Sequence, residues 1–163
     1  MKKEVVLLDE EQYKEPESKK VIVFQLIDKE YAMPIDVVRT IEKVLSITRV
    51  PNTPNYVKGV INLRGVVTPI VDLRARFGMP EKEVDEDSRI IIVAMGDYEV
   101  GVIVDAANDV VDILVENIEP QPEVVGSVES EFISGVVKTK EHLLAILDLE
   151  KVLAPLQRGK KDD

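Results

Sequence analysis

The sequence predicts an all-β fold of two small closed barrels, each of about five short strands. Three observations carry this prediction: an internal duplication, β-branched runs no longer than a strand, and polar turn signals between those runs. Residues 56–73 (YVKGVINLRGVVTPIVDL) align without a gap on 132–149 (FISGVVKTKEHLLAILDL) at an offset of 76. This pairs Gly59 with Gly135, Val60 with Val136, Ile70 with Ile146 and Asp72 with Asp148. Upstream, residues 21–36 (VIVFQLIDKEYAMPID) align on 90–105 (IIIVAMGDYEVGVIVD) at an offset of 69. The offsets differ by seven, so one half carries the longer central connection.

Taken in order, residues 1–19 are polar with one short apolar patch and are expected to form a mobile arm. Val21–Ile27 is a first strand, turned at Asp28-Lys29 into a second over 30–36. Ser46–Val50 is expected as a further strand, closed by Pro51 and Pro54. Val57–Leu63 and Val66–Val71 flank a hairpin end at Asn62, Leu63, Arg64 and Gly65, where Gly65 is free to take positive φ. Pro69 removes a ladder donor, which marks an edge or a bulge. Gly78–Ser88 holds five acids against Lys82 and reads as a solvated loop. Arg89–Met95 and residues 98–105 form a second hairpin around Gly96-Asp97. Phe132–Val137 and Leu143–Leu147 repeat the earlier pair, and residues 155–163 form a charged tail. Closing each set of strands into a barrel removes edges that would otherwise template aggregation.

Four aspartates, Asp36, Asp72, Asp105 and Asp148, sit at repeat-related places, each ending an apolar strand ahead of a helix-like stretch. A carboxylate there accepts an orphan N–H at a helix start, so all four are expected as N-caps rather than as a metal or acid–base cluster. Composition narrows the function further. A formal net charge of −10 repels phosphate backbones and anionic lipid, which argues against nucleic-acid binding and membrane-surface attachment. No apolar run approaches the roughly 18 residues of a membrane span, so no direct insertion is expected. Without cysteine there is no disulfide, thiol chemistry or cysteine-based zinc site, and the chain suits a reducing cytosol. His142, the one histidine, falls at an expected turn and reads as a surface residue. Neither a Gly-x-Gly-x-x-Gly nor a Walker lysine motif occurs, and no aromatic residue interleaves with a basic run. No catalytic, cofactor or metal residue is assigned; what remains is a binding module.

The run from Tyr56 to Leu73, with Arg74 after it, closely resembles the signature of CheW-like domains. Asn52–Pro54, Glu30-Tyr31 with Ile35-Asp36, and Gly101–Asp105 match as well, so the likeness covers residues 20–154. It implies two intertwined five-stranded SH3-like β-barrels with a few short helices, a central piece of about residues 46–110 forming one barrel. It also implies a stand-alone, non-catalytic, cytoplasmic chemotaxis adaptor at membrane-associated receptor arrays. Its implied partners are the cytoplasmic tip of methyl-accepting chemoreceptors and the regulatory domain of the histidine kinase CheA. Partner-binding candidates are Asn62, Leu63, Arg64 and Gly65 at the tip, with Val38, Val57 and Val60 either as apolar contacts in the groove or as core residues. Arg64 is the foremost, because an exposed guanidinium pairs bidentately with a carboxylate on a partner helix. Relatives usually carry Glu two residues after the Val38 position; here Thr40 stands there and Glu42 follows. In the second repeat Lys140-Glu141 replaces Arg64-Gly65, so the two tips are not expected to share a partner. Two other functions fit less well: an adaptor for a different receptor–kinase system, and a divalent-metal enzyme built on the aspartates.

Overall fold

The computed structural model describes residues 16–120 and 129–154. The expected charged tail, and all but the last few residues of the expected arm, lie outside them. Strand β1 (Ser18–Leu26) already begins within that arm. The chain continues through β2 (Lys29–Pro34), β3 (Val38–Lys43), β4 (Val57–Leu63), β5 (Val66–Asp72) and a one-turn helix α1 (Leu73–Arg76). The second repeat supplies β6 (Arg89–Met95), β7 (Tyr98–Val104), β8 (Ala106–Leu114), β9 (Ile118–Glu119), β10 (Ile133–Lys138) and β11 (Leu143–Leu147). A helix α2 follows over residues 149–154.

The repeats do not fold side by side; they exchange hairpins. One sheet has the order β3-β6-β7-β5-β4 and the other β8-β1-β2-β11-β10-β9. The second repeat's hairpin β6–β7 thus lies between strands of the first, and β1–β2 lies between strands of the second. The two sheets match residue by residue. The parallel pair Ile70↔Gly101 of β5 and β7 has its counterpart in Ile146↔Ala32 of β11 and β2. The antiparallel pair Val38↔Val93 has its counterpart in Ala107↔Phe24, with a bulge after each. Both exchanges follow the offsets of 69 and 76 read from the sequence.

Each sheet is brought round on itself in the same way. Beyond β3 the chain runs on to Thr48, which exchanges two backbone hydrogen bonds of 2.9 and 2.8 Å with Val60 of β4. In the other sheet β8 passes through a 3-10 turn, Val115–Asn117, into β9, which pairs with β10 at Val136 and Val137. The sixth strand there is thus the fifth strand interrupted. The expected strand Ser46–Val50 is reduced to the single bridge at Thr48, because Pro51 and a left-handed Asn52 (φ 64°) turn the chain away. Strand membership also changes sheet earlier than the sequence suggested, since β3 pairs with β6 and β8 pairs with β1.

The exchange explains why β1 and β6 are apolar without alternation. Val21 and Val23 face one barrel's own core, and Ile90 and Ile92 face the other's. Their neighbours Ile22 and Phe24, with Ile91 and Val93, all buried, meet in a third core between the barrels. Tyr31, Met33, Val100 and Val102 extend that shared core. A strand buried on both faces reads as a continuous hydrophobic run. Fully burying each such side chain contributes about 1.5–3 kcal/mol, so the largest core joins the barrels rather than filling either one. Arg76 stands over the rings of Tyr56 and Phe132, at 4.8 and 4.4 Å from their centroids, and donates to the Val152 carbonyl at 2.8 Å. Tyr56 and Phe132 are themselves repeat equivalents, so this cation ties α1 and α2 across the junction.

Candidate docking surfaces

The β4–β5 hairpin ends in a two-residue turn with Arg64 at φ 53° and Gly65 at φ 84°. Positive φ at both central residues matches the twist of the flanking strands. The Asn62 Oδ1 accepts from the Gly65 N–H at 2.8 Å and fixes the turn from inside. Arg64 therefore projects outward, its side chain 71% exposed, beside the exposed Val66 and Val67. Its guanidinium reaches Glu42 on β3 at 3.6 Å. Glu42 and Thr40 share a strand face two residues apart on β3. The Thr40 hydroxyl is left buried without a hydrogen-bond partner.

The seven residues picked from sequence do not form one patch. Asn62, Leu63, Arg64 and Gly65 cluster at the tip, with Leu63 half-buried. Val38 is half-buried at the start of β3 and packs on the shared core. Val57 lies at the far end of β4, beside the loop of residues 49–55, and Val60 is half-buried next to the Thr48 bridge. Val66, Val67 and Glu42 stand beside the tip without having been singled out from sequence. The valines were read only as strand, and the partnership of Glu42 depends on the two edges of the sheet meeting.

Two grooves are related by the repeat offsets, and the second lies between residues of both sheets. The first, about 230 Å³, includes Lys58, Asp72, Arg74 and Ile103; the second, about 390 Å³, includes their equivalents Ser134, Asp148, Glu150 and Pro34. They differ in what fills them. In the first, the Arg74 guanidinium grips both carboxylate oxygens of Asp105, which also accepts from the Ile27 N–H at 2.7 Å. Burial pushes the Asp105 carboxyl up, but the Arg74 and Ile27 hydrogen bonds outweigh it and hold it below the usual carboxylate range. The loop after α1 closes over this groove: Arg74 donates to the Pro80 carbonyl at 3.0 Å, and Lys58 to Glu81 at 2.7 Å. In the second groove the equivalents of that ion pair are Glu150 and Asp36, which cannot attract one another. It stays open, floored by Pro34, Val37, Met95, Leu147 and Leu149, and the charged residues lining it are Asp148 and Glu150.

The expected capping role holds for two of the four aspartates. Asp72 accepts from the Arg74 N–H at 3.0 Å and Asp148 from the Lys151 N–H at 3.3 Å. Asp36 instead lies inside a 3-10 turn, Ile35–Val37, that begins at Pro34, and Asp105 occupies a bend between two strands. His142, read as a lone surface residue, is paired through Nδ1 with Glu30 at 2.7 Å, and that hydrogen bond raises its pKa. Among the described residues no group of three or more His, Cys, Asp or Glu side chains could hold a metal ion, and no helix is long and apolar enough to cross a membrane.

Two β-barrels fused through a common core, with an exposed hairpin tip and an open apolar groove, make a rigid docking scaffold. Comparison with known proteins places it among relatives: the model of the CheW-like domain matches residues 20–157. The chain belongs to the CheW family of chemotaxis scaffold proteins, and its role is that of a coupling adaptor. It is 48% identical over 134 residues to the chemotaxis protein CheW of Bacillus subtilis, covering 82% of this chain and 86% of that one. It is 37% identical over 133 residues to CheW of Klebsiella aerogenes, covering 82% and 80%. Among solved structures, the scaffolding protein TtCheW of Thermoanaerobacter tengcongensis superposes with a TM-score of 0.77 at 38% identity, covering 85% of this chain and 93% of that one.

Proposed function

We propose that the chain works without catalysis in the cytoplasm, at membrane-associated arrays. There it joins the tip of methyl-accepting chemoreceptors to the regulatory domain of the histidine kinase CheA. The observation that carries this reading is the separation of two unlike surfaces on one body: the open groove between the barrels, and the Arg64 tip flanked by exposed Val66 and Val67. The groove suits a helical hairpin lying between the barrels. The tip offers a cation and apolar area to a second protein. Because the barrels share their largest core, a displacement imposed at one surface reaches the other as a change in relative geometry.

Charge reversal at the tip tests the assignment. Arg64→Glu sets a second carboxylate against Glu42 and removes the docking cation. It should weaken capture of the CheA regulatory domain or of a soluble receptor-tip fragment at least tenfold. The melting temperature should stay nearly unchanged, because an exposed ion pair contributes only about 0.2–1 kcal/mol. Wild-type capture of both partners would reduce Arg64 to a turn residue.

A further inference from the structure

The turns beside the two grooves carry unlike residues at equivalent places. Ile27 in the β1–β2 turn and Gly96 in the β6–β7 turn are 69 positions apart, at φ 60° and 64°. Ile27 lies beside the first groove, its N–H held by Asp105 of the groove's lining. Gly96 lines the open second groove, and a Cβ added there would meet no heavy atom within 4 Å. The same turn therefore carries a branched side chain in one repeat. In the other it carries none, at the point where a side chain would stand in the groove.

We infer that Gly96 is a specificity-determining residue, whose missing side chain keeps the second groove open for one partner helix. The chemistry of the lining defines that helix. Its apolar residue would rest on Pro34, Val37, Met95, Leu147 and Leu149, with a flanking lysine or arginine against Asp148 and Glu150. The first groove is smaller and is lined instead by the charged Arg74–Asp105 pair and by residues 82–84 of the loop. The scaffold accordingly accepts a helix on one side only, although its fold is duplicated. This rests on the receptor-groove assignment above.

The test uses the full chain, a soluble receptor-tip helical hairpin and the CheA regulatory domain as separate titrants. Gly96→Asn retains a residue that tolerates left-handed φ while placing a side chain in the groove. It is expected to weaken receptor-fragment binding at least tenfold and to leave kinase-domain binding within twofold. Glu150→Lys, at an exposed position of α2, should weaken receptor-fragment binding alone. If the wild-type chain fails to bind the fragment, the receptor assignment itself falls. If the wild type binds and Gly96→Asn binds equally well, the assignment stands and the role of Gly96 is overturned. Should Gly96→Asn lose both partners through misfolding, Glu150→Lys decides: unchanged receptor-fragment affinity overturns the proposal.

Discussion

Three non-glycine residues, Ile27, Asn52 and Arg64, are held at a positive φ that L-residues avoid. Arg64 takes positive φ because a two-residue hairpin demands it at both central positions. Ile27 is the first central residue of another two-residue hairpin, between Leu26 and Lys29, where the turn asks for positive φ and the other repeat supplies Gly96. A β-branched residue in the left-handed region costs about 1–2 kcal/mol, and Asp105 offsets part of that by accepting the Ile27 N–H. Ile27→Gly should consequently raise stability by about 0.5–1 kcal/mol, after allowing for the greater freedom of glycine in the unfolded chain. Chemical denaturation checks this; a lower midpoint at unchanged slope would show that the half-exposed isoleucine contributes more by packing than it costs in strain. None of this was visible in sequence. Asp105 was read as a helix cap because it follows an apolar strand, as Asp72 and Asp148 do. What distinguishes it is Arg74, 31 residues away, brought alongside by the parallel pairing of β5 with β7.

The strands themselves were legible wherever a β-branched run was bounded by turn residues, as at Val57–Leu63 and Arg89–Met95. Ser46–Val50 was over-read: Pro51 and Pro54 close it as they would a strand, while only Thr48 finds a partner. That single bridge nevertheless closes the sheet, and Gly59 makes it possible. At φ 141° it brings β4 against the Thr48–Arg49 backbone, where an added Cβ would fall 2.1 Å from the Thr48 carbonyl oxygen. No rotamer change relieves a clash between backbone atoms, so Gly59→Ala must push the two strands apart. A loss of about 3 kcal/mol or more is expected by thermal unfolding. The Arg64–Glu42 contact should loosen with it, because Glu42 lies on the strand that leads into the bridge. A melting temperature within two or three degrees of wild type would mean that the bridge does not close the barrel, about 1 kcal/mol being worth roughly that shift at this size.

The duplication announced two similar units, but it could not announce that they trade hairpins. Residues 21–36 and 90–105 would give the same alignment whether each hairpin stayed at home or crossed over, because both arrangements bury the same faces. The exchange has an energetic consequence that side-by-side barrels would lack. Neither sheet can form its central strands without chain from the other repeat, and the core at the junction is built from both. The molecule should accordingly unfold as one cooperative unit rather than barrel by barrel. Ile92 makes the point testable: it is fully buried in the core of the β3–β7 sheet but comes from the inserted hairpin. Ile92→Ala should cost about 2–5 kcal/mol. The slowest-exchanging amides of β1, β2, β10 and β11, all in the other sheet, should lose the same amount of protection as those of β4 and β5. If the amides of the six-stranded sheet kept wild-type protection while the five-stranded sheet opened, the barrels would be independent. A signal entering at the groove would then have no rigid path to the Arg64 tip.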